Sequence, residues 1–247
     1  MNQVQRVRSE TLLLEKRGVA LSMRNPRMDP EYTTVHPVPI DRKIQYRFIK
    51  RTIDVIGALV GIGLLLLLIF AFSFFYCVGP NKGSIFFKQT RVGHNGKAFQ
   101  IYKFRSMVTN AEELLKKDEL LFKKYTANNF KIPAEEDPRI TSFGRFIRKT
   151  SLDEIPQFLN VLKGEMSLVG PRPIVESELG EYFDKKNLLL SVKPGITGYW
   201  QVCGRSDVKY PERADLELHY VEHQSFKLDI LILAKTVGLV LQRKGAY

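Results

Sequence analysis

Cysteine is nearly missing from this 247-residue chain. Cys77 and Cys203 are the only two, which excludes a disulfide framework and a cysteine-built zinc site. Histidine is scarce as well, with four residues. His219 and His223 are spaced i, i+4, but no third ligand stands near them, so they read as surface residues of a helix and no metal is assigned to them. Proline is absent between residues 40 and 79, and charge is absent from Val55 through Val78. Tandem repeats and low-complexity tracts are lacking too. What the chain has in excess is positive charge, formally +12 with a pI near 9.6. That calls for an anionic partner: an acidic membrane, a phosphorylated substrate or a nucleic acid. A hydrophobic fraction of 44% is enough for a core.

The uncharged run holds 24 residues, with five consecutive leucines from Leu64 to Leu68. A bilayer core takes about 20 apolar residues, and a cleavable signal would be shorter and nearer the start. Residues 49–80 are therefore expected to form a membrane helix. Its flanks carry nearly equal positive charge: Arg42, Lys43, Arg47, Lys50 and Arg51 before it, Lys82, Lys88, Arg91 and Lys97 after it. A spanning helix usually shows a one-sided excess. The balance favours a re-entrant hairpin that enters and leaves by one leaflet, with a spanning helix as the alternative. Residues 1–48 are basic and broken by Pro26, Pro30, Pro37 and Pro39. They read as a flexible tail over acidic lipid, with a helical turn or two between Thr11 and Lys16.

Residues 81–247 read as a small α+β, mainly helical catalytic domain. Ser84–Gln89 and Ala98–Phe104 are strand-like and flank Gly93-His94-Asn95-Gly96, whose Asn-Gly pair predicts a hairpin turn with positive φ. A charge-rich helix follows from Asn110 to about Tyr125, then two amphipathic helical pieces between Ile140 and Lys163. The chain from Ser167 to Asp207 is turn-rich, and Pro211 opens another helix. Ser225 to Arg243 predicts an amphipathic helix in the membrane interface, with Lys235, Arg243 and Lys244 toward the headgroups, or a buried core helix.

The chemistry-bearing stretch runs from Arg145 to Leu162. Ile140, Phe143, Phe146 and Ile147 share one helical face and leave Arg145, Arg148 and Lys149 on another. Ile155, Phe158, Leu159 and Leu162 make a second apolar face. Between them, Ser151-x-x-Glu154 matches a capping box, while Pro156 favours a helix starting near Asp153. Either start places Asp153 and Glu154 at a helix N-terminus, where free N–H groups and nearby guanidinium groups favour anions. The two side chains diverge by about 100°, so one can attack or ligate while the other orients or holds metal. Pro171-Arg172-Pro173 follows 19 residues after Asp153 and offers a guanidinium on a stiff backbone, suited to phosphate oxygens.

Ser151-Leu-Asp153-Glu154, Asn160-Val-Leu-Lys163-Gly164-Glu-Met-Ser167, Val169-Gly-Pro-Arg-Pro173 and Lys193-Pro-Gly-Ile-Thr-Gly198 together resemble the monotopic phosphoglycosyl transferases. Lys50-Arg51, Tyr102-Lys103-Phe104-Arg105 and Gln201-Val202…Gly204-Arg205 extend the resemblance from about residue 49 to the C-terminus. It implies a bacterial enzyme on the cytoplasmic face of the inner membrane. Such an enzyme passes a sugar-1-phosphate from a UDP-sugar to undecaprenyl phosphate and releases UMP, the first membrane step of exopolysaccharide or capsule synthesis. The resemblance implies Asp153 as nucleophile and Glu154 as its partner, with Mg²⁺ held at Asp153 and Glu154. It further implies Arg148 and Arg172 on phosphate, with Arg145, Lys103 and Arg105 assisting, and Pro171 and Pro173 stiffening the loop. Membrane lipid is an expected partner and nucleic acid is not; self-association is left open. The family often breaks its membrane helix with Ser-Pro, where this chain has Leu66-Leu67, so Gly61, Gly63 or Ser73 would have to make the break. Two other classes compete: a hydrolase of nucleotide-sugars, and a basic membrane adaptor without catalysis.

Overall fold

The computed structural model describes residues 44–127, 132–204 and 208–242. Most of the basic tail, including Thr11–Lys16, Arg42 and Lys43, lies outside the described residues, as do Arg205, Arg243 and Lys244.

Helix α1 (Ile44–Cys77, 34 residues) is helical at every position. It is the one helix among the described residues long and apolar enough to cross a membrane. The break expected at Gly61, Gly63 or Ser73 is not there. Gly61 serves a different purpose: a Cβ on it would stand 2.3 Å from the Phe158 ring, so its bareness lets the helix lie against the domain. Ser73 donates its hydroxyl to the Phe70 carbonyl at 2.7 Å, staying inside the helical ladder.

Strands β1 (Phe86–Val92) and β2 (Ala98–Phe104) pair antiparallel from Phe86↔Phe104 to Val92↔Ala98. Asn95 and Gly96 in the turn take φ of 55° and 75°, as the Asn-Gly pair predicts. The first strand starts two residues later than expected. The single charge-rich helix is two, α2 (Ala111–Lys117) and α3 (Glu119–Ala127), separated at Asp118, whose Oδ1 accepts from Leu121 N at 2.9 Å.

Helix α4 (Ser142–Lys149) is capped by Thr141, whose hydroxyl oxygen accepts from Gly144 N at 2.9 Å. A 3₁₀ turn (Leu152–Gln157) and α5 (Phe158–Lys163) follow. The capping box at Ser151 does not form: Ser151 is left-handed, φ 57° and ψ 16°, and its side chain caps nothing. Two residues leave their expected faces. Phe146 is 52% exposed and Leu162 is 38% exposed, while Asn160 and Val161 are buried in their place.

The turn-rich stretch holds more structure than its glycines and prolines suggest. It contains β3 (Ser167–Val169), a 3₁₀ segment (Glu176–Lys185), α6 (Lys186–Leu190), β4 (Gly195–Thr197) and α7 (Tyr199–Cys203). β3 and β4 pair in parallel, a second small sheet beside the hairpin. Then come α8 (Glu212–Glu222), opened by Pro211 as expected, and α9 (Phe226–Leu241). His219 and His223 stack on each other, with ring centroids 4.2 Å apart, and no metal-holding cluster occurs among the described residues.

The core forms where α1 meets this domain. Ala58 packs with Phe99, Ile101, Val161 and Met166. Leu65, Phe72 and Tyr76 pack with Phe104 and Ile147. Polar bonds fasten both ends of the same stripe. Lys50 Nζ meets Asp229 of α9 at 2.9 Å, and Arg51 donates to the Val161 and Leu162 carbonyls at 2.7 and 2.9 Å. Asp54 accepts from Ser167 Oγ and Leu168 N, and Tyr76 donates to the Arg105 carbonyl at 2.7 Å. The opposite stripe is apolar and bare, with Val60 72% and Phe70 86% exposed.

Candidate functional site

The left-handed Ser151 turns the chain sharply between α4 and the 3₁₀ turn, an unfavourable conformation for a residue with a side chain. Two backbone bonds hold it there: Ser151 N donates to the Arg148 carbonyl at 3.0 Å, and Glu154 N donates to the Ser151 carbonyl at 3.3 Å. The result presents Asp153 and Glu154 on a short 3₁₀ turn over β2. Asn160 ties that turn to the hairpin. Fully buried, its Oδ1 accepts from Tyr102 N at 3.1 Å and its Nδ2 donates to the Gln100 carbonyl at 2.7 Å.

Lys103 projects from β2 and donates to Glu154 Oε1 at 2.8 Å. Glu154 opens into a cleft of about 260 Å³ lined by Arg91, Ile101, Lys103, Gln157, Arg172, Pro173, Ile196 and Gln201. Three cations thus face one carboxylate, an excess of positive charge that suits a polyanionic ligand.

Asp153 stands beside the cleft, and its electrostatics differ from its neighbour's. Burial and the adjoining charge of Glu154 push its carboxyl up to about 6, with Lys103 and Arg148 pulling the other way. Burial acts on Glu154 in the same sense, but Lys103, Arg172 and hydrogen bonds from Lys103 and Gln157 outweigh it and hold that carboxyl below its usual range. One dyad therefore holds two carboxylates whose affinities for a proton are driven apart, the mark of divided roles. Arg148 Nε donates to Ser106 Oγ at 2.7 Å, which fixes the guanidinium near Asp153.

The structure brings Asp153, Glu154, Lys103, Arg148, Arg172, Pro171 and Pro173 to this region and leaves two expected residues apart. Arg145 is exposed on the outer face of α4, because the helix turns Arg148 inward instead. Arg105 follows the last residue of β2, and its guanidinium turns to the end of α1, standing 5.6 Å over the Tyr76 ring and donating to the Asn81 carbonyl. Sequence reasoning also missed lining residues, Arg91 and Gln201 among them. Arg91 was counted only as a flanking charge, yet the hairpin carries it back into the cleft. There it donates to the Pro173 carbonyl at 3.3 Å and to Gln89 Oε1 at 2.6 Å. Burial and nearby Arg172 bring its guanidinium down to about 10, with Glu178, 3.7 Å away, pulling the other way. Gln201 joins from α7, its amide donating to the Ile196 carbonyl at 3.1 Å. Its place in a string already matched to the family was the available signal.

The donor set also bears on Mg²⁺. Two adjacent carboxylates, with no further acidic ligand grouped with them among the described residues, cannot enclose the ion, but they fit one whose other positions are filled by substrate phosphates and water.

Residues 45–243 match the family profile described as bacterial sugar transferase. The chain is 47% identical over 208 residues to the undecaprenyl-phosphate galactose phosphotransferase of Salmonella typhimurium, covering 81% of this chain and 42% of that one. It is 44% identical over 251 residues to the UDP-galactose-lipid carrier transferase of Erwinia amylovora, covering 97% and 50%. It is 40% identical over 205 residues to the exopolysaccharide production protein ExoY of Rhizobium meliloti, covering 80% and 88%. The chain thus spans about half the length of the first two relatives and most of the third. On these grounds the chain belongs to the bacterial sugar transferase family.

Proposed function

We propose that this protein transfers a sugar-1-phosphate from a UDP-sugar to undecaprenyl phosphate through a covalent intermediate on Asp153. The observation that carries the proposal is the Asp153–Glu154 dyad set at the mouth of a cationic cleft, against a long apolar helix. In the first step an Asp153 oxygen attacks the phosphorus bonded to the sugar, and the bond to the UMP oxygen breaks, with UMP leaving on the electron pair. In the second, an oxygen of undecaprenyl phosphate attacks the same phosphorus and releases the Asp153 carboxylate. Lys103, Arg172 and Arg91 offset charge on the donor phosphates, and Arg148 keeps Asp153 ionised. Mg²⁺, held at Asp153 and Glu154 with the donor, would supply further neutralisation of the diphosphate. A covalent carboxylate lets a water-soluble donor and a lipid acceptor use one site in turn.

Galactose is the proposed sugar, on the names of two relatives. The test is UMP release by the detergent-solubilised enzyme with undecaprenyl phosphate and a panel of UDP-sugars. Lipid-linked sugar should form fastest from UDP-galactose, and free sugar phosphate in place of lipid product would point to hydrolysis.

The pH profile follows from the electrostatics. Asp153 must be ionised to attack, and its carboxyl is pushed up to about 6, so kcat/KM should fall tenfold per pH unit below about 6 and level off above it. A profile flat down to pH 4.5 would count against Asp153 as the attacking group.

The seat is proposed to be the cytoplasmic leaflet of the inner membrane, with both ends of α1 on the same side. Lys50 and Tyr76, 26 residues apart, both bond to the catalytic domain. At 1.5 Å per residue that is roughly 39 Å of helix fastened along the domain. A bilayer core is only ~30 Å thick, so a spanning helix would drag polar protein into hydrocarbon. Instead the bare stripe at Val60 and Phe70 faces lipid while the fastened stripe faces protein. Exposed Cys77 reports this directly. In a Cys203→Ser background, a membrane-impermeant maleimide should label Cys77 in inverted vesicles but not in intact cells; the reverse pattern would mean that the helix crosses.

A further inference from the structure

Among the cations that line the cleft, Arg172 has no hydrogen-bond or ion-pair partner for its guanidinium among the described residues. Its Nε is buried and unpaired, and its charged end lines the cleft. Two other arginines of the domain are spent on acids. Arg139 grips Asp137 through Nε and Nη2 at 2.8 Å each, and Arg213 reaches Glu217 at 3.2 Å and Glu178 at 3.8 Å. What stands next to Arg172 is an aromatic face: its guanidinium carbon lies 5.9 Å from the centre of the Trp200 ring.

Trp200 is itself held. It is 7% exposed on α7, and the Arg213 guanidinium lies 4.4 Å over the same ring. Arg213 is fixed by Glu217, a carboxylate 1% exposed that also accepts from the Tyr182 hydroxyl. That buried acid offsets the second cation, so two guanidinium groups can share one indole. We infer that Trp200 is a positioning residue for Arg172, holding its guanidinium over the cleft by a ring face so that its donors stay free for phosphate. A carboxylate could hold Arg172 equally firmly but would occupy the donors that the ligand needs. The indole steers the cation without competing for its N–H groups.

The inference rests on Arg172 binding donor phosphate, and the experiment separates the two claims. Initial rates of UMP release by the full chain in detergent are measured against UDP-galactose and against undecaprenyl phosphate. The variants are Trp200→Leu, Trp200→Phe, Arg172→Ala and the double variant Arg172→Ala with Trp200→Leu. Trp200→Leu should raise the donor KM about tenfold and leave the acceptor KM within about twofold. Trp200→Phe, which keeps a face, should recover most of the loss. With Arg172→Ala in place, Trp200→Leu should cost nothing further. If Trp200→Leu multiplies the loss in the Arg172→Ala background by the same factor as in the parent, or if the donor KM of Trp200→Phe is as high as that of Trp200→Leu, the inference is overturned. An Arg172→Ala variant with an unchanged donor KM would instead remove the phosphate-binding reading beneath it. Should Trp200→Leu not fold, the cycle is run with Trp200→Phe, whose weaker face should raise the donor KM only while Arg172 is present.

Discussion

Asp153→Asn should lower the rate of UMP release by about 10⁴-fold, the scale at which loss of a covalent nucleophile is felt. The change is nearly isosteric, so the 3₁₀ turn and the neighbouring Glu154–Lys103 pair, 2.8 Å apart, should survive it. The decisive measurement is made without acceptor. Parent enzyme mixed with UDP-galactose alone should gain the mass of a phosphosugar on the peptide carrying Asp153, and the variant should gain nothing. Lipid-linked product accumulating while that peptide stays unmodified would mean direct transfer between donor and acceptor, and the two-step scheme would have to be abandoned.

Lys103→Ala should be the next most damaging change, lowering kcat/KM by about 10²- to 10³-fold. Lys103 bonds Glu154 and favours the ionised form of both carboxylates. Without it, Asp153 keeps the burial and the repulsion from Glu154 that raise its carboxyl but loses one of the two cations opposing them. The acid limb of the pH profile should therefore move upward from about 6. Part of the activity should return at alkaline pH, where Asp153 ionises despite the loss. A variant with reduced rate but an unmoved limb would show that Lys103 acts on the donor alone.

Much of the fold was legible because it rests on local patterns. The hairpin was readable from an Asn-Gly pair between two apolar runs, since only a few turns tolerate positive φ at both central residues. The long helix was readable from 24 uncharged residues. Its continuity was not, and the family habit pointed the wrong way: Gly61 looked like a weak point in the helix until Phe158 proved to lie against it. Nothing within α1 announces a ring contributed from nearly a hundred residues later.

The site divides along the same line. Asp153, Glu154, Arg148, Lys103 and Arg172 could be named because they fall in short strings of distinctive composition. The mistake at Ser151 arose because a Ser-x-x-Glu spacing fits a capping box equally well, and only the left-handed turn decides otherwise. Arg105 and Arg145 were drawn in by sequence proximity, but Arg105 turns past the end of β2 to the Asn81 carbonyl and helical phase sends Arg145 outward. Arg91 and Gln201 escaped notice because the cleft joins the hairpin to the segments around Pro173 and Ile196, a contact made across 82 residues from Arg91 to Pro173.

The sequence by itself determined that this chain has a membrane helix, a hairpin and an acidic pair among cations, since each depends on residues close together along the chain. Tertiary structure alone decided which face of the helix is protein and which is bare, which cations meet the acidic pair, and how the two carboxyls differ. Burial and charge proximity are set by neighbours distant in sequence, and a local pattern holds no record of them.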